Sequence, residues 1–307
     1  MKIFSGSSNK LLAEKLAQNL GLELSEIEIH VFPDGERRVK LNDIVVDEET
    51  VVVQSTATPV DQNYIELFFI IDALKRSGAK SVTAVMPYLG YQRQDHIFRD
   101  GEAVSLQVMI GILESMGVNK VIVLDLHTIK IPEFFHIPID HLSALPQFAK
   151  VIKENGWDSD SILVSPDMGG LRRIKEMSEF LSGMSWIATV KDRNLDTGEI
   201  TIEKIESSVS NWSMENLKGK RALIVDDMAS SGGTLIESAK LLKKSGISEV
   251  YAFVTHPIFS KDAPKLLQDS EITKVFVTDS VYVSEEKKFP KLEVLSVAEM
   301  IAKEIKD

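Results

Sequence analysis

The residue types best suited to chemistry stand together where an apolar run meets a loop of small residues. Asp226 and Asp227 directly follow the strand-like run 221–225. The loop and the start of the next helical pattern supply Ser230, Ser231, Gly232, Gly233 and Thr234. Glycines let backbone N–H groups approach an anion, and the first turn of a helix attracts negative charge. The segment therefore favours a phosphate monoester, and its carboxylates favour the vicinal hydroxyls of a sugar.

This pattern predicts a site for a phosphorylated pentose. The structural alternative is an acidic strand end followed by an N-capped helix. We favour the binding site because two adjacent carboxylates and two adjacent glycines exceed what a helix cap needs. The segment is not a Walker loop, since it lacks Gly-Lys-Ser/Thr, and it is not a GxGxxG fingerprint.

Further candidate residues lie at turns and after strand-like runs. Residues 32–36 read Phe-Pro-Asp-Gly-Glu, which by itself is a turn. Arg93 and Gln94 lie in a polar loop, where a guanidinium can bind phosphate oxygens through two hydrogen bonds. His127 and Asp167 each follow an apolar run. A solvated arginine and a structural histidine remain alternatives for these positions.

A second polar segment, 190–199, leaves the apolar run 186–190 and contains Lys191 and Arg193. Its Thr-Gly-Glu at 197–199 indicates a hairpin tip. An exposed hairpin with mixed charges is the structural alternative. Taken alone, the segment favours the exposed hairpin.

The composition limits the class of function. The 307 residues include 46 acidic and 35 basic side chains, a formal net charge of −11, and no cysteine. The absence of cysteine excludes disulfides, thiolate catalysis, zinc–thiolate sites and iron–sulfur clusters. An acidic chain is a poor candidate for sequence-independent nucleic-acid binding, although a local pocket can still hold a small anion.

Neither a membrane span nor a secretory leader is expected. No segment approaches the ~18 apolar residues that a spanning helix needs. The N-terminus lacks an extended apolar stretch and is instead typical of a first strand entering a loop. A cytoplasmic location is therefore expected.

Short apolar runs alternate with helical patterns such as 64–76, 104–116 and 235–244. Such alternation predicts an α/β fold with mostly parallel sheets flanked by helices. The predicted strands are 50–54, 81–86, 120–126, 161–165, 221–225, 249–255 and 274–278. A helix end, a glycine and a strand recur at 116–128 and 245–257, with the glycine ten positions before a histidine. We therefore expect two similar α/β domains, 1–146 and 147–307.

Several segments together resemble one enzyme family. The 226–234 motif resembles the phosphoribosyl pyrophosphate signature of phosphoribosyltransferases and of ribose-phosphate pyrophosphokinases. The remaining segments resemble pyrophosphokinase blocks, in that family's order, at 32–36, 91–95, 123–127, 164–170 and 255–259. The resemblance spans nearly the whole chain. It implies two phosphoribosyltransferase-like domains that make phosphoribosyl pyrophosphate and AMP from ATP and ribose 5-phosphate.

The resemblance also implies a role for each matching residue. ATP would contact Phe32, Asp34, Gly35, Glu36, Arg93 and Gln94. Ribose 5-phosphate would contact Arg193, Asp226, Asp227, Ser230, Ser231, Gly232, Gly233 and Thr234. Lys191 and Arg193 would close on the transferring phosphate, and His127 and Asp167 would help place Mg²⁺. A homo-oligomer, at least a dimer, would share the 32–36 loop between subunits, and neither nucleic acid nor membrane is expected as a partner.

The chain also departs from the common family pattern. Asp192 interrupts a run of three basic residues, His96 replaces an arginine, and Ser230 and Ser231 replace Asp-Thr. The Asp-Thr-Gly-Glu at 196–199 is closer to the archaeal-type branch, which leaves phosphate activation, ADP inhibition and a dimer, tetramer or hexamer open. A phosphoribosyltransferase that consumes the product, and a non-catalytic regulatory homologue, are the alternative functions.

Overall fold

A computed structural model describes residues 1–193, 200–208 and 214–306. The chain forms two compact units. The first comprises Met1–Ser143, Asp279–Tyr282 and Ser296–Asp307, and the second comprises Ala144–Thr278 and Val283–Leu295. Among the described residues, no helix combines the length and hydrophobicity that crossing a bilayer requires.

Seven strands form the sheets of the first unit. They are β1 (Lys2–Ser5), β2 (Ile27–Val31), β3 (Arg37–Leu41), β4 (Glu49–Val53), β5 (Ser81–Met86), β6 (Lys120–Leu124) and β7 (Ile139–Leu142). Five of them make a parallel sheet in the order β1-β4-β5-β6-β7, and β2 and β3 make a separate antiparallel hairpin.

Helices cover both faces of the parallel sheet in the first unit. The helices are α1 (Lys10–Leu20), α2 (Val60–Arg76), α3 (Ser105–Ser115) and α8 (Ala298–Lys306). Leu12 and Ile301 pack with Ile3 on one face, while Leu67 and Leu113 belong to the core of the other face. Coverage on both faces explains why these strands are continuous apolar runs and do not alternate.

The second unit contains a seven-stranded sheet. Its strands are β8 (Ser161–Ser165), β9 (Trp186–Arg193), β10 (Ile200–Ser207), β11 (Arg221–Ala229), β12 (Glu249–Pro257), β13 (Lys274–Thr278) and β14 (Leu292–Leu295). The order is β10-β9-β8-β11-β12-β13-β14, and only the β9–β10 pair is antiparallel among these strands.

Four helices flank the sheet of the second unit: α4 (Leu145–Glu154), α5 (Leu171–Phe180), α6 (Gly233–Lys244) and α7 (Ala263–Gln268). Phe148 and Ile174 bury their side chains on one face, and Leu235 and Leu267 bury theirs on the other. The predicted α/β class with mostly parallel sheets flanked by helices is confirmed in both units.

Two predicted strands are longer in the structure than expected, and the shorter extension takes the predicted strand 249–255 to Pro257 in β12. The expected strand 221–225 continues to Ala229, so the two carboxylates lie within β11 and do not follow it. The extension has a physical cause, because Asp226 and Met228 remain in register with Val254 and His256 of β12. The predicted hairpin tip at 197–199 lies outside the described residues.

Candidate active site

The loop between β11 and α6 leads into the first turn of a helix at the carboxyl end of the second unit's sheet. β11 ends at Ala229, and α6 begins at Gly233 with Gly232 as its N-cap residue. First-turn N–H groups have no acceptor within their helix and carry the positive end of its dipole. The exposed Ser231 and Thr234 add hydroxyl groups beside them. The loop is therefore chemically suited to a phosphate group.

Gly232 is required by the backbone path of this loop. Its φ is +76°, in the left-handed region. A Cβ atom built on it would lie 3.2 Å from Leu267 Cγ and 3.3 Å from Leu267 Cδ2. Both the backbone conformation and the close approach of α7 therefore favour glycine.

The residues after β12 hold the same loop in place. Phe259 N–H donates to Ala229 O at 3.0 Å, and Ser260 N–H donates to Ser230 O at 2.9 Å. The Ser230 and Ser260 hydroxyls lie 3.3 Å apart. The donors of the loop are thus fixed by two backbone hydrogen bonds before any ligand arrives.

The two carboxylates of β11 share one arginine from α5. Arg173 Nη1 lies 3.3 Å from Asp226 Oδ1, and Arg173 Nη2 lies 3.5 Å from Asp227 Oδ2. Only 12% of the Arg173 side chain is exposed. One guanidinium therefore orients both acidic groups beside the phosphate loop.

Burial raises the pKa of Asp226 well above its usual range. The negative charge of Asp227 raises it further, whereas Arg173 opposes the shift. A carboxyl group in this environment resists ionisation unless a ligand or a cation compensates the charge. Such a perturbed group next to an anion-binding loop is typical of a functional site.

Asp167 lies at the neighbouring strand end, in the turn between β8 and α5. Its Oδ1 accepts the Gly170 N–H at 3.1 Å at the start of α5, and its carbonyl accepts the Ser165 hydroxyl at 2.8 Å. The negative charge of Asp167 also contributes to the raised pKa of Asp226. The structure thus brings together Asp167, Asp226, Asp227 and the 230–234 loop in the second unit.

Lys191 and Arg193 belong to the same unit. Their backbones lie in β9, in register with Ile202 and Ile200 of β10. The residues that follow, 194–199, lie outside the described part of the chain, as do the side chains of the two cations. Their proposed roles therefore rest on their sequence positions.

The first unit brings Arg93, Gln94 and His127 to the carboxyl ends of β5 and β6. The buried Gln92 accepts the His127 N–H through Oε1 at 2.9 Å. Three residues on, Asp95 Oδ2 accepts the Thr128 hydroxyl at 2.8 Å. These two hydrogen bonds tie the loop after β5 to the loop after β6.

Asp95 is held in its charged form. Burial acts to raise its pKa, but hydrogen bonds from Thr128 and His96 outweigh that effect and leave the pKa below its usual range. The side chains of Arg93 and His127 are exposed beside this buried group. A guanidinium, a carboxamide and an imidazole thus lie at the surface of these two loops, and such groups can contact a polyphosphate.

The loop 32–36 joins β2 to β3 and forms a closed turn. Phe32 N–H donates to Glu36 O at 2.8 Å, and Gly35 N–H donates to Phe32 O at 2.9 Å. Asp34 Oδ1 accepts the Glu36 N–H at 3.1 Å. Gly35 has a φ of +94°, which the turn requires. Phe32 remains 38% exposed, so its ring can stack on a planar ligand.

The sequence interpretation missed Arg173. The periodicity of α5 could have identified it. Arg173 stands one turn before the buried Met177 and so shares the inner face of the helix, whereas Arg172 stands one turn before Glu176. Ser260 was also missed, and its position beside Ser230 depends on a tertiary contact between two loops.

The described residues fit a divalent cation only where a ligand supplies most of its oxygens. Among residues 1–193, 200–208 and 214–306, no three His, Asp or Glu side chains are grouped as a metal site. Mg²⁺ in phosphate-transfer sites keeps few protein ligands and takes the rest from phosphates and water. The exposed Asp167 carboxylate suits such a sparse site, and the exposed His127 offers a nitrogen in the first unit.

In the second unit, paired carboxylates lie beside a Gly/Ser loop at the N-terminus of a helix. This arrangement is typical of α/β proteins that bind a phosphorylated ligand. The chain matches the family described as the N-terminal domain of ribose phosphate pyrophosphokinase over residues 1–117. It also matches the phosphoribosyl synthetase-associated domain over residues 208–307.

Relatives of the whole chain agree. It is 38% identical to ribose-phosphate pyrophosphokinase 2 of Enterococcus faecalis, over 100% of this chain and 92% of the relative. It is 38% identical to a ribose-phosphate pyrophosphokinase of Fusobacterium nucleatum, over 99% of this chain and 94% of the relative. The crystal structure of phosphoribosylpyrophosphate synthetase from Mycobacterium smegmatis matches with a TM-score of 0.88 and 31% identity, covering 99% of this chain and 97% of the other. The chain belongs to the ribose-phosphate pyrophosphokinase family.

Proposed function

We propose that this chain transfers the pyrophosphoryl group of ATP to the anomeric hydroxyl of ribose 5-phosphate. The hydroxyl oxygen forms a bond to the β-phosphorus, the bond from that phosphorus to the α–β bridging oxygen breaks, and AMP leaves. The hydroxyl proton is released, so the products are 5-phosphoribosyl 1-pyrophosphate and AMP.

The observation that carries this proposal is the pairing of Asp226 and Asp227 with the 230–234 loop. The carboxylates accept hydrogen bonds from the ribose hydroxyls, and the loop holds the 5-phosphate at the start of α6. The ligand contacts are assigned to Asp226, Asp227, Ser230, Ser231, Gly232, Gly233, Thr234 and Arg193.

ATP binds at the first unit's loops in this proposal. Phe32 stacks on the adenine, and Asp34 and Glu36 face its exocyclic amine beside Gly35. Arg93 and Gln94 contact the phosphates and the ribose. The exposure of the 32–36 loop, together with the ties that fix the loop after β5, supports these roles.

Lys191 and Arg193 neutralise charge on the transferring group. Phosphoryl-type transfer needs little covalent help from side chains, so positioning and charge stabilisation carry most of the rate. A closing segment also excludes water, which would otherwise hydrolyse ATP.

Mg²⁺ is the proposed cofactor, with Asp167 and His127 as the residues that help place it. When bound to the triphosphate, the ion supplies neutralisation of phosphate charge. The chain's own part is to orient the nucleotide through Arg93 and Gln94 and the sugar through its two carboxylates.

The proposal extends to location, assembly and domain organisation. The chain acts in the cytoplasm as a homo-oligomer whose 32–36 loop contributes to a shared site. The domain boundary proposed at residue 146 is a boundary along the sequence, close to Ser143, where the chain first passes from one compact unit to the other. The catalytic loop is proposed to be of the archaeal type. The 38% identity to a ribose-phosphate pyrophosphokinase over the full chain supports the proposed cytoplasmic homo-oligomer through family membership.

A single assay tests the activity. Purified protein is incubated with Mg-ATP and ribose 5-phosphate, with and without added phosphate and ADP, and the nucleotides are separated by chromatography. Equal amounts of AMP and phosphoribosyl pyrophosphate are expected. If no AMP forms although equilibrium dialysis shows that both substrates bind, the proposal is overturned in favour of a non-catalytic homologue. In a parallel reaction with added phosphoribosyl pyrophosphate and a nucleobase, consumption of both would indicate a phosphoribosyltransferase.

A further inference from the structure

The 32–36 loop is closed by its own hydrogen bonds, but few contacts near its tip connect it to the rest of the first unit. Its internal hydrogen bonds close the turn, while residues 30–36 are all exposed. The apolar residues that pack the hairpin onto the first unit's core are Ile27, Ile29, Val39 and Leu41. They lie in the middle of the hairpin and at its far end. The orientation of the loop therefore depends on the residue that anchors its near end.

Arg37 is that residue. It directly follows Glu36 and is the first residue of β3. Arg37 Nη1 lies 2.8 Å from Glu66 Oε2 on α2, and Nη2 donates to Gln62 Oε1 at 3.0 Å. Its side chain is only 15% exposed. A planar guanidinium held by two acceptors on one helix fixes both the distance and the angle of the strand.

Glu66 is a fixed point for this contact. Its side chain is 0% exposed. Its Oε1 accepts the Ser7 N–H at 2.6 Å, the Ser7 hydroxyl at 2.7 Å and the Gln54 amide at 2.9 Å. A buried carboxylate with all of these partners cannot move without losing several hydrogen bonds. Its position is therefore determined by the loop after β1 and by the end of β4.

The neighbouring arginine has no such anchor. Arg38 pairs with Glu28 of the same hairpin at 2.7 Å, and both side chains are largely exposed, at 56% and 43%. This ion pair crosses from β3 to β2 and does not reach α2. Arg38 is thus a suitable control, because it is the neighbouring arginine but its ion pair stays within the hairpin and does not reach α2.

We propose that Arg37 is a positioning residue for the nucleotide: its contact with Glu66 sets the orientation of the 32–36 loop on the first unit. The inference rests on the proposed function, since it assigns ATP to this loop. The loop lies in the first unit and the ribose 5-phosphate residues lie in the second. Loss of the anchor is therefore expected to weaken ATP use and to spare ribose 5-phosphate.

The experiment compares Arg37→Ala with Arg38→Ala in the full chain. We expect Arg37→Ala to raise KM for ATP about tenfold, the ratio that ~1.4 kcal/mol produces. The KM for ribose 5-phosphate and kcat should change by less than about twofold. The reason is that the substitution weakens ATP binding equally in the ground state and in the transition state. Hydrogen exchange at the amides of Phe32, Gly35 and Glu36 should accelerate, because a hairpin end released from α2 opens its internal hydrogen bonds more often. Arg38→Ala should match the wild type in all of these measurements.

Removing one partner of a buried ion pair can prevent folding. Arg37→Gln is the second variant, because its amide can still donate to Glu66 with a shorter reach and no charge. Intermediate values of the ATP KM and of amide exchange are expected from it. A folded Arg37 variant with wild-type ATP KM and wild-type exchange overturns the inference.

The exchange measurement separates this inference from the proposed function. If the wild type makes no AMP, the pyrophosphokinase activity fails, but faster exchange at 32–36 in Arg37→Ala still supports the anchor. If the wild type is active and the exchange and the ATP KM of Arg37→Ala are unchanged, only the anchor fails.

Discussion

Arg173 of α5 contacts both Asp226 and Asp227 of β11 through separate nitrogens, at 3.3 and 3.5 Å. The three side chains are mostly buried, so the contact is not a surface ion pair whose contribution solvent would screen. It links the helix after β8 to the strand that carries the proposed ribose ligands. Arg173 therefore holds two adjacent negative charges in fixed positions beside the phosphate loop.

We predict that Arg173→Ala raises KM for ribose 5-phosphate by one to two orders of magnitude, an effect of ~1.4–2.8 kcal/mol. Without the guanidinium, the two carboxylates repel each other and Asp226 holds its proton more tightly. Steady-state kinetics with each substrate varied in turn measures the change. Arg172→Ala is the matched control, because the adjacent Arg172 is exposed and pairs with Glu176 one turn along α5. Equal effects of the two substitutions would contradict the prediction.

The raised pKa of Asp226 predicts a pH dependence of stability. A carboxyl whose pKa is raised by folding destabilises the folded state when it is ionised. That cost is fully present above the raised pKa and disappears as the pH falls from there toward the ordinary range of aspartate. At a pH above this raised pKa, Asp226→Asn should therefore raise Tm by about 2–4 °C, the shift that ~1 kcal/mol produces. The difference should shrink in thermal melts at progressively lower pH, and a constant difference across the range would refute it.

Asp226→Asn should stabilise the fold but weaken the use of ribose 5-phosphate. The amide introduced by Asp226→Asn cannot accept two sugar hydroxyls as a carboxylate does, so the KM for ribose 5-phosphate should rise while the KM for ATP stays nearly constant. For the wild type, the ribose 5-phosphate KM should rise as the pH falls through the raised pKa of Asp226, because protonation removes the acceptor. An unchanged ribose 5-phosphate KM in Asp226→Asn would remove the hydroxyl-binding role.

Gly232 and Gly233 should differ in their tolerance of a methyl group. Gly232→Ala places a non-glycine residue at a φ of +76° and a Cβ 3.2 Å from Leu267 Cγ, which should cost about 1–2 kcal/mol of stability. A Cβ on Gly233 would meet only Ser231 Oγ, at 3.6 Å, an ordinary contact. Chemical denaturation of both variants tests this difference. A Gly233→Ala variant as unstable as Gly232→Ala would show that the left-handed conformation is not what the loop needs.

Much of the fold could be predicted because the sheets are parallel and covered on both faces. The central strands such as β5, β8 and β13 are short apolar runs, and their ends coincide with the predicted bounds. The edge strands β7 and β14 were not predicted. Each has four residues and only partly buried side chains, so no apolar run marks them.

Other features depend on tertiary contacts that local patterns do not encode. Ile301 and Ala302 of α8 join Leu12 and Leu16 in the first unit's core, although the two helices lie near opposite ends of the sequence. The carboxylates and the phosphate loop were predictable because they are consecutive in sequence. Arg173 comes from a helix about fifty positions earlier in the sequence. Only the periodicity of that helix distinguishes it from the adjacent Arg172.

The last prediction concerns Lys191, the proposed cation for the transferring phosphate. Lys191→Ala should lower kcat by about 10²–10³-fold, the usual effect of removing one charge-stabilising donor from a transition state. ATP binding should remain nearly unchanged, because the nucleotide contacts are assigned to the first unit, and equilibrium dialysis with ATP measures it. Lys150→Ala on α4 is the control, since Lys150 is exposed, pairs with Glu154 one turn along the same helix and has no assigned ligand contact. Substantial turnover by the Lys191 variant would remove Lys191 from the mechanism, whereas a large loss of ATP affinity would place it in ground-state binding.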